Sequence, residues 1–167
     1  AVIGTCEYKD QFMNDKVNTW VYQVEKLAEI ALIEPHVAYS AFVHGLRHKY
    51  TYIMHTVPNI SHHLKRLDDA IQHKLIKNIF NRECSDNERD IFALPVKFGG
   101  LGIIQPSKIS DIQYKNSVFV TEKLQKNIIA QETILDIDQN ELKMRKNKIK
   151  SNKVSRNLET LETVRNS

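Results

Sequence analysis

Residues 64–80, with the sequence LKRLDDAIQHKLIKNIF, decide the fold class of this chain. Large aliphatic residues recur in it every three or four positions, at Leu64, Leu67, Ile71, Leu75 and Ile79. This spacing places side chains on one face of an α-helix, whereas a strand would alternate apolar and polar residues. The stretch therefore predicts an amphipathic helix that buries one face.

The residues before this helix show the same period. A first helix is predicted to begin near Glu7 and to end before Pro35, because a proline disfavours helical geometry in the residue before it. Its apolar stripe consists of Val17, Trp20, Val21, Val24, Leu27, Ala28 and Ala31. Pro35 is tolerated in the first turn of a second helix, which is predicted over about residues 36–54.

Two further helices are predicted after residue 80. Ser85 and Glu88 form an S-x-x-E capping box for a short helix that stops at Pro95. Three of the five glycines follow within residues 99–102, and we expect at least one to have a positive φ in a sharp turn. A helix of about 20 residues is then expected beyond Pro106.

Composition supports an all-α class. The chain has 167 residues, 41% of them hydrophobic, with only five glycines and four prolines, which disfavours β-sandwiches. Ala1–Ile3 is a β-branched run stopped by Gly4, and it predicts a short strand remnant. We therefore expect a bundle of about five helices preceded by that strand, and the chain resembles a piece of a longer protein.

The net charge of +4 is unevenly distributed. Residues 141–167 carry eight basic and three acidic residues, a net charge of +5, whereas residues 1–140 sum to −1. The predicted organisation is a strand remnant over residues 1–6, a helical domain over residues 7–135 and a basic, solvated tail over residues 136–167. Composition leaves open whether this tail is a charged helix or disordered.

Few residues suggest catalytic or metal chemistry. Asp68 and Asp69 are adjacent, as in sites that bind two Mg²⁺ ions, but they lie within the amphipathic helix, and we expect one or both to face water. His44 and His48 have the i, i+4 spacing of a metal-binding pair, without a third ligand fixed by the sequence. Cys6 and Cys84 form no CxxC pattern, which argues against a disulfide scaffold or a cysteine-based zinc site. The sequence contains no P-loop and no nucleophile motif, so we expect no catalytic residues and no cofactor.

Several segments together resemble a known family. They are AVIG at residues 1–4, EPHVAYSAFVHGL at 34–46, KYTYIMHTVPNIS at 49–61 and LPVKFGGLGIIQPS at 94–107. These segments resemble the region just downstream of the catalytic palm in reverse transcriptases of non-LTR-type and related retrotransposons, over about residues 1–120. The resemblance implies a thumb-like helical region, which in these polymerases holds the primer–template duplex by its backbone.

The family's metal-binding aromatic-x-Asp-Asp motif is missing from this chain. The resemblance therefore implies a non-catalytic fragment of an RNA-directed DNA polymerase, with Mg²⁺ expected only in the palm of the parent protein. Its implied partners are an RNA–DNA or DNA duplex and the upstream fingers and palm of the same polyprotein. We expect no membrane association, no small-molecule substrate and an intracellular location, nuclear or cytoplasmic.

Candidate duplex contacts are donors and cations on exposed helices, because backbone recognition needs phosphate contacts more than base contacts. In the helical body they are Arg47, His48, Lys49, Tyr50, Lys65 and Arg66. In the tail they are Lys143, Arg145, Lys146, Lys148 and Lys150. The alternative hypothesis is a helical protein-interaction domain derived from a retroelement remnant, and a third is a metal-binding enzyme built on the histidines.

Overall fold

The structure is a computed structural model, and it describes residues 4–131 and 139–166. Regular structure within these two ranges is entirely helical, which confirms the all-α prediction. Their six longer helices are α1 (Cys6–Ala31), α2 (Pro35–Ala41, Phe42–Leu46 and Arg47–Thr56), α3 (Ser61–Ala70, Ile71–Ile76 and Lys77–Phe80), α4 (Asp86–Ala93), α5 (Pro106–Ala130) and α6 (Gln139–Arg165). A single 3₁₀ turn, Val96–Phe98, follows α4.

The chain enters α1 through an N-cap. The Thr5 hydroxyl accepts a hydrogen bond from the Tyr8 N–H at 3.3 Å, which satisfies one of the free donors of the first turn. Helix α1 begins at Cys6, so the last residue of the segment assigned to the palm is helical. The strand predicted at residues 1–3 lies outside the described residues.

Helices α1, α2 and α3 pack around one core, and α5 lies across α2 and α3. The apolar period that predicted α3 is confirmed, because Leu64, Leu67, Ile71 and Leu75 are fully buried. On α1, the buried positions are Met13, Val17, Trp20, Val24, Ala28 and Ala31, which include most of the predicted stripe. Helical periodicity therefore identifies the faces that meet in the core.

Two π-helical turns interrupt the helices that the sequence predicts as regular. They span Phe42–Leu46 in α2 and Ile71–Ile76 in α3. A π turn closes hydrogen bonds from residue i to i+5, so it changes the angular relation between the side chains on either side. Adjacent residues are buried in both turns, namely Phe42 with Val43 and Leu75 with Ile76.

The capping box predicted for α4 is confirmed. The Ser85 hydroxyl accepts from the Glu88 N–H at 3.3 Å, and the Glu88 carboxylate accepts from the Ser85 N–H at 3.1 Å. Arg82 also donates two hydrogen bonds to this carboxylate, at 2.6 and 2.9 Å. The Arg82 contacts and the Ser85 N–H together lower the pKa of Glu88 to about 2.

The glycine-rich segment forms the predicted turn between α4 and α5. Gly99 and Gly102 have φ values of +81° and +68°, a region that side chains disfavour. The turn folds back on the end of α4, where the Ile103 N–H donates to the Phe92 carbonyl at 2.9 Å. Gly100 has a different role, because a Cβ built on it would lie 2.1 Å from the Leu94 carbonyl oxygen.

Substituting Gly100 with alanine should destabilise the protein. The added methyl group would overlap backbone atoms of Leu94 and Ile91, which cannot rotate away, so we expect a loss of about 1–3 kcal/mol or more in the free energy of unfolding. Gly45 is the matched control, because a Cβ there meets nothing within 4 Å and Gly45→Ala should be neutral or stabilising. Urea denaturation of both variants measures the difference, and equal stabilities would contradict the close approach.

Candidate nucleic-acid interface

The basic residues of the tail lie on helix α6. Lys143, Lys146, Lys150 and Lys153 are exposed and follow one another at i, i+3, i+7 and i+10. At about 100° per residue, these four positions fall within an arc of about 80° on the helix surface. We call this set the lysine stripe. No carboxylate within residues 4–131 or 139–166 pairs with any of its four ammonium groups at salt-bridge distance.

Arg145 lies on a different face of α6 and holds that helix against α5. Its guanidinium donates to the Phe119 carbonyl at 2.6 Å, to Glu122 at 2.9 Å and twice to Glu141, at 2.9 and 3.1 Å. It also lies over the Phe119 ring, 4.9 Å from its centroid. Four of its five N–H donors are used in this way, and two carboxylates balance its charge.

The role predicted for Arg145 as a phosphate contact is therefore corrected to one in docking α6. The hydrogen bonds to Glu122 and Glu141 raise the pKa of the guanidinium, so it stays charged in this network. Lys148 lies beside the same aromatic ring, with its ammonium 5.7 Å from the Phe119 centroid, and remains exposed. Of the predicted tail residues, only Arg145 has its donors largely occupied by the protein itself.

The four consecutive candidates on α2 do not share a face. Successive residues of a helix point about 100° apart, so residues 47–50 are distributed around the axis. His48 and Lys49 are exposed, and the Lys49 ammonium donates to the Gln23 side-chain carbonyl at 3.1 Å. Arg47 is half-buried and donates to the Gly102 carbonyl at 3.1 Å, which ties α2 to the glycine turn.

Tyr50 is the clearest correction among the candidate contacts. Its side chain is fully buried, and its ring meets Trp20 edge-on with centroids 5.9 Å apart. It lies four residues after Leu46 and three before Ile53, both buried, so it belongs to the apolar face of α2. Burial also raises the pKa of its hydroxyl. Tyr50 is a core residue and does not contact a ligand at the surface.

The remaining candidates of the helical body lie in the second turn of α3. Lys65 and Arg66 are exposed between the buried residues Leu64 and Leu67. Neither pairs with a carboxylate within the part of the chain that the structure describes. Helix α6 packs against α4 and α5, whereas α3 packs against α1 and α5, so the two basic sets occupy different elements.

Asp68 and Asp69 do not form a two-metal site. Asp69 is exposed, as expected, but Asp68 is largely buried and accepts a hydrogen bond from the Ser107 N–H at 2.9 Å. Burial raises the pKa of Asp68, and the Ser107 contacts and the charge of Arg89 partly oppose that rise. Asp68 therefore caps the start of α5, and this aspartate pair is not suited to holding Mg²⁺ ions between its two carboxylates.

Buried Arg89 is a polar residue that sequence reasoning missed. It is 2% exposed and donates to the Ile103 and Ile104 carbonyls at 2.6 and 2.9 Å. It faces a cavity of about 270 Å³ between α3, α4 and the start of α5, where Asp68 lies 4.0 Å from the guanidinium. No local sequence pattern indicates that Arg89 is buried, because both of its hydrogen-bond partners are more than a dozen positions away.

No protein-family model, no curated protein and no solved structure matches this chain. None of the helices described here is both long enough and apolar enough to cross a membrane.

Proposed function

We propose that this chain is a non-catalytic, thumb-like part of a retroelement RNA-directed DNA polymerase, and that it holds a primer–template duplex by its backbone. The observation that carries the proposal is the lysine stripe of α6, a set of four exposed cations without a carboxylate partner among the described residues. Phosphates are the complementary ligands, because each contact releases counterions and needs no particular base sequence.

The length of the stripe suits a duplex. Lys143 and Lys153 are ten residues apart, which corresponds to about 15 Å along the helix axis. One strand presents a phosphate about every 3.4 Å of the duplex axis, so the stripe spans the length of about four phosphates. Lys65 and Arg66 supply further exposed positive charge on α3. Lys148 is exposed on the opposite face of α6, beside Phe119, and does not extend the stripe.

The partners follow from the same proposal. The proposal assigns the catalytic carboxylates and Mg²⁺ to the palm of the parent polymerase. The division of the Asp68–Asp69 pair between a helix cap and the solvent supports this assignment. An RNA–DNA hybrid is A-like, and its deep, narrow major groove favours recognition of shape and phosphates. We therefore expect similar affinities for hybrid and DNA duplexes of unrelated sequence.

The test is duplex binding across a salt series. For the parent chain we expect the logarithm of the affinity to fall against the logarithm of salt concentration with a slope of about −3 to −4, at 0.7–0.9 per phosphate contact. Replacing Lys143, Lys146, Lys150 and Lys153 by glutamine should reduce the magnitude of that slope by about 3. Fluorescence anisotropy with a labelled hybrid measures both slopes.

A matched control removes the same number of charges elsewhere. Lys26, Lys74, Lys77 and Lys126 each pair with a carboxylate, so their replacement by glutamine should change the slope by less than about 1. Equal losses in the two quadruple variants would show that net charge alone controls binding. A parent slope near zero would reject the proposal.

The alternative function, a protein-interaction domain, is favoured by one specific observation. Ile30, Leu32, Ile33 and Val37 are exposed where α1 turns into α2, and Ile33 is 81% exposed. Clusters of exposed apolar residues mark protein contacts in many proteins. An upstream reading frame encoding the aromatic-x-Asp-Asp motif would support the polymerase, and its absence together with a flat salt response would support the alternative.

A further inference from the structure

We propose that Asp10, His62 and His63 bind one zinc ion between α1 and α3. Each residue offers a ligand atom, and the three atoms lie within 4.8 Å of one another. Asp10 is in the second turn of α1, and the two histidines are in the first turn of α3. Imidazole nitrogens and a carboxylate oxygen are typical zinc ligands, and three protein ligands leave a fourth position for water.

The distances suit a tetrahedral ion. Zinc bonds to nitrogen and oxygen of about 2.0–2.2 Å place two tetrahedral ligands about 3.3–3.6 Å apart. His63 Nε2 lies 3.1 Å from Asp10 Oδ1, so these two ligands need to separate by only a few tenths of an ångström. The His62 ring lies against that of His63, with centroids 3.9 Å apart, and is exposed, so a side-chain rotation brings its nitrogen to the same ion.

Asn14 orients the central ligand. His63 Nδ1 lies 3.2 Å from the Asn14 side-chain oxygen, and we assign the ring proton to this contact. The lone pair on Nε2 then faces the Asp10 carboxylate, and a divalent cation satisfies both groups. Metal-binding histidines commonly donate their second N–H to such an oxygen, and the side chain of His63 is only 9% exposed, which holds the ring in place.

Binding would join two helices that are distant in sequence. Asp10 and His63 are 53 residues apart, so the ion would fasten the start of α1 to the start of α3. A metal that binds only the folded chain stabilises it, and the midpoint of thermal unfolding should rise with zinc concentration. The inference is independent of the lysine stripe, which lies on α6, whereas the zinc ligands lie on α1 and α3.

The test is zinc titration of the full chain by isothermal calorimetry. All variants carry Cys6→Ser, because the exposed thiol of Cys6 could bind zinc on its own. We expect one zinc ion per chain. Asn14→Ala should weaken binding about 10- to 100-fold, and His62→Ala, His63→Ala and Asp10→Asn should each weaken it at least as much.

His73→Ala and His44→Ala are the matched controls, because both remove an exposed histidine outside the cluster. They should leave the zinc affinity and the zinc-dependent rise in melting temperature unchanged. Asp10 and His62 are exposed, so Asp10→Asn and His62→Ala remain informative if His63→Ala fails to fold, as circular dichroism would show. The proposal would be overturned if zinc showed no saturable binding to the Cys6→Ser chain. It would also be overturned if the control variants lost as much zinc affinity as the ligand variants.

Discussion

Replacing Arg89 with methionine is expected to lower the free energy of unfolding by about 3–5 kcal/mol. Arg89 is 2% exposed, and its guanidinium is the donor that satisfies the Ile103 and Ile104 carbonyls. Methionine fills similar space without any donor, so these carbonyls lose a partner and Asp68 loses the nearby positive charge. Urea denaturation followed by circular dichroism measures the loss.

Arg82→Met is the matched control. Arg82 makes two hydrogen bonds to Glu88, as Arg89 makes two to carbonyl groups, but its side chain is half-exposed. Exposed ion pairs contribute about 1 kcal/mol or less, so this variant should remain close to the parent. Similar losses at the two positions would mean that burial of Arg89 does not determine its contribution.

The effect of Arg89→Met should also depend on pH. Arg89 lowers the pKa of Asp68, so its removal raises that pKa further above the ordinary value of 3.8. A carboxyl whose pKa is higher in the folded than in the unfolded state favours folding at low pH, and this contribution is lost as pH rises through the folded-state pKa. The stability difference between parent and variant should therefore be smaller below pH 3.8 than at pH 7.

The parts of the fold that depend on local spacing could be predicted from sequence. The apolar period fixed which faces of α1 and α3 are buried, because helical side chains three and four residues apart share a face. The capping box joins Ser85 and Glu88, which are only three positions apart, and the structure confirms it. The glycine turn was also predictable, since Gly99 and Gly102 have the positive φ values that few other residues adopt.

The parts that depend on distant neighbours could not be predicted. Asp68 meets Ser107 across 39 positions, and Arg145 meets Phe119 across 26, so no local pattern indicates either contact. Arg145 was predicted to contact phosphate together with the lysines because it is a cation in a basic segment. Its three partners on α5 and α6 instead make it the residue that docks the helix.

Tyr50 shows the same limit within one helix. It follows Arg47, His48 and Lys49, and a run of polar neighbours suggested a common exposed surface. Helical geometry separates these side chains, and Tyr50 lies with Leu46 and Ile53 on the buried face. The spacing of Phe42, Leu46, Tyr50 and Ile53 places Tyr50 on the apolar face of the helix, and only its cationic neighbours suggested a surface contact.

Trp20→Ala is the second large expected loss, at about 3–5 kcal/mol in the free energy of unfolding. The side chain is 4% exposed and meets the buried Tyr50 ring edge-on. Truncation therefore removes buried apolar surface and an aromatic pair, and it leaves a cavity. Trp20→Phe should cost less, because it keeps an aromatic ring in the same space. Urea denaturation of the parent, Trp20→Phe and Trp20→Ala chains gives the order of their free energies of unfolding.

Tyr22→Ala provides the control for this truncation on the same helix. Tyr22 is 60% exposed, and its ring contact within the described residues is with the Lys26 ammonium, 5.7 Å from the centroid. An exposed cation–π contact is worth about 0.5–1 kcal/mol, so the expected loss is correspondingly small. If Trp20→Ala lowered the free energy of unfolding no more than Tyr22→Ala, the apolar stripe of α1 would not face the core. The packing of α1 against α2 and α3 would then be wrong.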